Sequence, residues 1–224
     1  MSVGEPLDRA TAKTIAHHYP RPRSLYWYVR VKLVSDPLYR AAIDALRRTD
    51  APLLDFGCGI GLLAQVLRAG GVDLDYRGVD NDAGKIARAR RAATTAALAG
   101  VRFECIESAN ALPTHRGSVA VLDVLQYLPD DAQAQLLDAA ITMLTPGAQL
   151  LIRTGIDDGG WRARLTRYVD ILGHGVGWMN VAPKRYPQRD ALAARLQSAG
   201  LRAHFSPLHG RVPFNNWLVV ATRE

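Results

Sequence analysis

The chain of 224 residues suits one domain with a real core, and with 48% hydrophobic and 22% charged residues it is not a disordered chain in the main. Two cysteines, Cys58 and Cys105, exclude a disulfide scaffold, and no apolar run reaches the length of a membrane span. The net charge of +7 is unevenly placed: residues 1–50 carry nine Lys/Arg against five Asp/Glu, residues 51–150 eight against eleven, and residues 151–189 seven against three. Basic flanks of this kind attract nucleic acid, an anionic membrane, an acidic protein or an anionic substrate, or serve only as a solvated surface. The first eight residues have no basic region followed by an apolar stretch, so no secretion signal is expected and the expected location is cytoplasmic.

In chain order, residues 7–48 read as helices broken by prolines, with Pro20-Arg21-Pro22-Arg23 a stop between two of them. Leu25-Tyr26-Trp27-Tyr28-Val29 opens an aromatic-rich stretch, and Pro37-Leu38-Tyr39 starts a helix running to about Arg48. From Ala51 strands and helices alternate. Pro52–Phe56 is a strand that ends in glycines, and Leu62–Ala69 a helix with Leu63, Val66 and Leu67 on one face, ended by Gly70-Gly71. Tyr76–Asp80 is the second strand, Ala83–Ala99 a helix stopped by Gly100, Val101–Ile106 the third strand and Ser118–Asp123 the fourth. Asp130–Leu144 is a helix with Ala134, Leu137, Ile141 and Leu144 in register, and Ala148–Arg153 is the fifth strand. Residues 157–187 break the rhythm with glycine- and aromatic-rich turns. Asp190–Ala199 is the last helix, with Leu192 and Leu196 inward, and Leu201–Pro207 and Trp217–Thr222 read as a closing strand pair. The alternation predicts an α/β fold, a parallel sheet with helices on both faces. Residues 1–50 form an N-terminal helical cap, and residues 51–224 the main domain.

The most informative segment is Leu53-Leu54-Asp55-Phe56-Gly57-Cys58-Gly59-Ile60-Gly61, a strand that runs into three alternate glycines and then a helix. Glycines let the backbone turn sharply and let a ligand approach, and a helix start offers unpaired N–H groups. A dinucleotide loop has the pattern G-x-G-x-x-G, with a pyrophosphate on the helix start. Here the sixth position is Leu62, and Asp55 stands two residues before the loop. A carboxylate there is poor company for a pyrophosphate and suits a ligand with a positive end. Asp80, at the end of the second strand, is placed to accept hydrogen bonds from ribose hydroxyls. The ligand these residues describe has a ribose, a cationic group and no pyrophosphate.

With these motifs the sequence resembles the class I S-adenosylmethionine-dependent methyltransferases. The resemblance rests on Asp55-Phe-Gly57-Cys-Gly59-Ile-Gly61 and Gly78-Val79-Asp80. It is supported by Glu107-Ser108, Asp123-Val-Leu-Gln-Tyr-Leu-Pro129 and Leu144-Thr-Pro-Gly-Ala148, all in the family's order over residues 51–155. It implies a Rossmann-like sheet of seven strands, mostly parallel with an antiparallel last strand. It also implies S-adenosylmethionine as cofactor and S-adenosylhomocysteine as product. Gly57, Gly59 and Gly61, with Cys58 as a small loop filler, would contact the methionine and ribose portions, Asp55 would face the ammonium end, and Asp80 would hold the ribose. Asn81 would lie beside the adenine, Glu107 and Ser108 near its edge, and Asp123 and Val124 at the methyl-donor pocket. Gln126 stands where many members have His, which removes one candidate base.

The acceptor is less legible. The connection between the last two strands is expected on the ligand edge of the sheet, bringing His209, Arg211 and Asn215 there, and residues 157–187 join the same rim. His174, between two glycines, and His209 are the candidate bases, each also readable as a plain turn histidine. Asp157-Asp158 lacks a third ligand at useful spacing, so no metal site is expected. Asp123-Val-Leu-Gln is not Asn-Pro-Pro-aromatic, which argues against methylation of DNA base amines. Tyr28–Tyr39 with Gly210–Asn216 is similar to bacterial methyltransferases found with aryl polyene or xanthomonadin-type pigment pathways. That resemblance implies an aromatic or acyl-carrier-bound acceptor and an acidic acyl carrier protein as partner, for which Arg162, Arg164 and other basic residues of the flanks are electrostatically suited. The competing readings are a cofactor-binding regulatory or scaffold subunit without catalysis and an RNA methyltransferase. Charge alone favours the second, and a nucleic-acid partner is the weaker expectation.

Overall fold

The computed structural model describes residues 5–107, 112–155, 186–208 and 215–223. Three helices come first: α1 (Arg9–His17), α2 (Arg23–Ser35) and α3 (Leu38–Leu46). Asp8 starts α1, its Oδ1 accepting from the N–H groups of Ala10 and Thr11 at 2.9 Å each. Two of the amides that a first turn leaves unpaired are thereby satisfied. Pro22 and Pro37 stand immediately before α2 and α3, where a missing N–H costs nothing.

The alternating region follows: β1 (Leu53–Phe56), α4 (Leu62–Ala69), β2 (Tyr76–Asp80), α5 (Ala83–Thr95), β3 (Val101–Cys105), β4 (Ser118–Leu122), a 3₁₀ turn at Leu125–Tyr127, α6 (Asp130–Met143) and β5 (Gln149–Gly155). After the predicted rim segment, of which residues 157–185 lie outside the described residues, come α7 (Arg189–Ser198), β6 (Leu201–Pro207) and β7 (Asn216–Arg223). The seven strands form one sheet in the order β3-β2-β1-β4-β5-β7-β6. β1 to β5 are parallel, and β7 runs antiparallel to both β5 and β6. The expected seven-stranded, mostly parallel sheet with an antiparallel last strand is therefore observed.

Strand alternation divides the core. Leu53, Ala120 and Leu151 face a cluster built from α1 to α5. Leu54, Val119, Val121, Leu150 and Ile152 face the other way, onto α6 and α7. Each fully buried leucine contributes about 1.5–3 kcal/mol, so the central strands, buried on both faces, anchor the sheet. The outer strands are blunted: β3 exposes Arg102 and Cys105, and β6 exposes Arg202 and His204.

Two boundaries and two patterns differ from expectation. α4 is buried all round, Leu62 to Leu67 without a break, because α1 and α3 cover the side that an isolated helix would leave to water. α5 stops at Thr95, four residues early. Ala97 takes a left-handed φ of 48°, and Leu98 N–H reaches back to the Ala93 carbonyl at 3.0 Å, so an alanine closes the helix where Gly100 was expected to. β4 ends at Leu122, since Asp123 turns to a φ of 60°. In α6 the buried row is Gln133, Leu136, Leu137, Ala140 and Ile141, with Ala134 only half-buried. Among the described residues no helix is long and apolar enough to cross a membrane.

Candidate functional site

The glycine loop caps the carboxyl end of β1. Gly57 and Cys58 both donate their N–H groups to the Val79 carbonyl of β2, at 2.8 and 3.0 Å, and Gly61 N–H closes the turn on the Cys58 carbonyl at 2.9 Å. Gly57, Gly59 and Gly61 have φ of 74°, 56° and 78°. These are left-handed angles that a side chain disfavours. Gly57 has a second constraint, because a Cβ there would stand 2.3 Å from Val124 Cγ2. Gly59 has none: a Cβ on it would meet no protein atom within 4 Å. The loop is thus packed from below at Gly57 and open at Gly59, so a ligand can approach the backbone there.

Asp80, only 7% exposed, holds the loop in place. One carboxylate oxygen accepts from Gly59 N–H and the other from Asp82 N–H, both at 2.9 Å. A carboxylate has about four acceptor positions, so two remain for a ligand. Asn81 is exposed next to it, and Asp82 caps α5 through Lys85 N–H at 3.0 Å. Glu107 is exposed just beyond β3, whose end is tied to β2 by Ile106 N–H on the Asp80 carbonyl at 3.0 Å. Ser108 lies outside the described residues.

Asp55 is 2% exposed and accepts a hydrogen bond from the hydroxyl of Tyr76 on β2. Burial pushes its carboxyl up to about 7; the charge of Asp80 adds to the rise and the Tyr76 hydroxyl opposes it. The Cys58 thiol is pushed far above its usual range by burial and by the two carboxylates. Its sulfur fills the space beside Gly78, where a Cβ would come within 2.9 Å of it.

The turn after β4 forms the facing wall. Asp123 is ion-paired with Arg153 of β5, and Val124 packs on Gly57. Burial works against the Arg153 charge, but Asp123 and Asp36 outweigh it and hold the guanidinium above the ordinary arginine range. Gln126 is buried, its Oε1 accepting from Thr154 Oγ1 at 3.5 Å. Asn215, immediately before β7, is buried and accepts from Trp217 Nε1 at 3.1 Å, while Asn216 beside it pairs with Gly155 at the carboxyl end of β5. That is the edge where it was expected. His174, His209, Arg211, Arg162, Arg164 and the Asp157-Asp158 pair lie outside the described residues.

Several residues at this site carry no signal in the sequence. Tyr19 donates its hydroxyl to the Ile60 carbonyl of the glycine loop at 3.0 Å, and His18 Nδ1 is 2.8 Å from Gln65 Oε1 on α4. Both pairings span more than 40 positions of chain. Tyr76 reads as an ordinary strand aromatic and Arg153 as a polar strand end until the sheet brings their partners alongside. Among the described residues, no group of three or more His, Cys, Asp or Glu is placed to hold a metal ion.

The same architecture recurs in known proteins. An O-methyltransferase family protein from Burkholderia thailandensis superposes with a TM-score of 0.70 at 20% identity, over 98% of this chain and 64% of that one. The magnesium protoporphyrin IX methyltransferase of Synechocystis PCC 6803, solved with S-adenosylhomocysteine, gives 0.61 at 14% identity, over 95% of this chain and 100% of that one. An O-methyltransferase from neocarzinostatin biosynthesis, in complex with S-adenosylhomocysteine and 1,4-dihydroxy-2-naphthoic acid, gives 0.62 at 18% identity, over 88% and 56%. At these identities the likeness is one of fold. The chain spans 64% of the Burkholderia protein and 60% of the mitomycin 7-O-methyltransferase, so those two carry additional structure. A comparison with curated proteins found no match. The sequence itself matches the model of a methyltransferase domain over residues 26–204, which is most of its length, and the chain belongs to that methyltransferase family.

Proposed function

We propose that the chain binds S-adenosylmethionine at the carboxyl edge of β1, β2 and β4 and transfers its methyl group to a small-molecule acceptor, leaving S-adenosylhomocysteine. The observation that carries this reading is the glycine loop, open above Gly59 while Asp80 holds it closed from the side. The donor set fits such a ligand: backbone N–H groups and a carboxylate with free acceptor positions for ribose hydroxyls. Gly57, Gly59 and Gly61 would support the methionine and ribose portions, and Asp80 the ribose hydroxyls. Asn81, Glu107 and Ser108 would surround the adenine, and Asp123 and Val124 would close the methyl end. Asp55 would influence the ammonium end from beneath the loop, since its carboxylate is engaged by Tyr76.

When bound, the cofactor supplies a methyl group already activated by its sulfonium. The chain's residues then have to orient and desolvate rather than polarise. A hydroxyl acceptor also needs its proton held or removed, and the candidates remain His174 and His209. Residues 1–50 act in this reading as a helical cap on the domain 51–224, with 157–187 on the substrate side. The acceptor is aromatic or carrier-bound, as in bacterial pigment pathways, and an acidic acyl carrier protein would present it to the basic flanks.

Calorimetric titration with S-adenosylmethionine, S-adenosylhomocysteine and NAD tests the reading. Binding of the two sulfur ligands, lost in Asp80→Ala, is the expected result. Binding of NAD alone, or of none, refutes it. For the carrier, charge reversal at Arg162 and Arg164 should slow turnover of a carrier-bound acceptor and spare the free one; equal effects on both remove the carrier.

A further inference from the structure

Four charges form a closed ring at the carboxyl edge of β4 and β5. Arg153 Nη1 donates to Asp123 Oδ2, and Lys32 Nζ stands 4.0 Å from that oxygen. Lys32 Nζ is 3.4 Å from Asp36 Oδ2, which lies 3.3 Å from Arg153 Nη2. The signs alternate around the ring and cancel. Lys32 lies in the last turn of α2 and Asp36 caps it; Asp36 also accepts from Leu38 N–H at 3.0 Å, at the start of α3. The ring therefore joins the N-terminal helices to the wall of the site.

Stability gives little reason for this arrangement. Burying charges costs solvation, and well-packed apolar residues in their place are often as stable or more so. Its geometric consequence is specific. Asp123 holds a φ of 60°, which few residues other than glycine, asparagine and aspartate adopt. Arg153 grips it at two points: the Arg153 carbonyl accepts Asp123 N–H at 2.9 Å, and the guanidinium holds the carboxylate. The next residue, Val124, carries the methyl that meets Gly57. Where Arg153 places Asp123, Val124 follows, and with it the clearance above the glycine loop.

We propose that Arg153 is a positioning residue for the turn 123–126, with Asp36 and Lys32 tying that turn to α2, so that donor affinity depends on the N-terminal helices. This rests on the reading of the loop as the S-adenosylmethionine site. The test is calorimetry with S-adenosylhomocysteine on the full chain, beside a thermal melt of each variant. Arg153→Met should weaken binding about tenfold or more, because it leaves the Asp123 and Asp36 carboxylates without their shared partner and the turn without its grip. Arg153→Lys should recover part of it, since charge returns without the fork. Asp36→Asn, which loosens the ring on its α2 side, should weaken binding about threefold or more. The double variant Arg153→Met/Asp36→Asn should be no worse than Arg153→Met alone, because both act through one ring. If Arg153→Met fails to fold, Arg153→Lys and Asp36→Asn carry the test. Folded variants that bind S-adenosylhomocysteine as the wild type does overturn the positioning role and leave the donor reading intact. A wild type that binds none overturns both.

Discussion

Two glycines of the loop should respond differently to the same methyl group, and the difference tests the site geometry directly. At Gly59 an added Cβ meets nothing within 4 Å, so Gly59→Ala costs folding only the left-handed strain. That is about 1–2 kcal/mol, which lowers Tm by roughly 2–8 °C at this chain length. At Gly57 the same strain is joined by a contact of 2.3 Å with Val124 Cγ2. Overpacking of this kind adds about 1–3 kcal/mol, so Gly57→Ala should melt lower than Gly59→Ala. Binding should follow the opposite logic for Gly59. Its methyl fills the space by which the donor reaches the backbone, and affinity for S-adenosylhomocysteine should fall by about tenfold or more, the equivalent of 1.4 kcal/mol. Scanning fluorimetry and calorimetry on the two variants provide the readouts. A Gly59→Ala protein that binds like the wild type, or one that melts below Gly57→Ala, would refute the reasoning.

Other residues give independent checks. The Asp55 carboxyl is pushed up to about 7 against an ordinary value of 3.8, so the folded state binds the extra proton between those two values. Stability from this group is full below about pH 4 and is lost as pH rises to 7; Asp55→Asn should flatten that slope in melts taken across the range, and an unchanged slope would count against it. Tyr19→Phe removes the hydroxyl on the Ile60 carbonyl and should cost about 1 kcal/mol in denaturant unfolding, with a weaker donor site because Ile60 is part of the loop. Arg68 donates to the carbonyls of Val72, Leu74 and Ala99, at 2.8, 2.6 and 3.1 Å. Arg68→Met should therefore lower stability by about 1.5–3 kcal/mol or more while leaving S-adenosylhomocysteine affinity unchanged, since these bonds lie away from the loop.

The sheet was legible because its signals are local. Apolar runs ending in glycine or aspartate mark β1 and β2 to within a residue, and Leu62–Ala69 is a helix with both ends where the sequence puts them. The loop itself is visible for the same reason, since Gly57, Gly59 and Gly61 have to supply three left-handed angles within five residues. What the sequence hid is pairing at a distance. Asp55 reads as a carboxylate waiting for a cation, and only the register of β1 on β2 reveals Tyr76 beside it. Asp123 reads as a strand end; its turn depends on Arg153, 30 residues away, and on Lys32, from a different part of the chain. The end of α5 is hidden for another reason: Gly100 is a good helix stop, but Ala97, three residues before it, accepts an angle that alanine rarely takes.

The place of β7 between β5 and β6 has a consequence for how the chain is made. Among the described residues β6 pairs only with β7, and β5 keeps an open edge until β7 arrives. On the ribosome, everything from β1 to β6 emerges before the strand that seals that edge. The nascent sheet therefore presents Gln149–Gly155, buried along its whole length in the folded chain, as an unpaired and adhesive border until β7 threads between two waiting strands. Closing the sheet is an insertion rather than an addition, and its vulnerability to self-association is concentrated in the interval before β7 has paired.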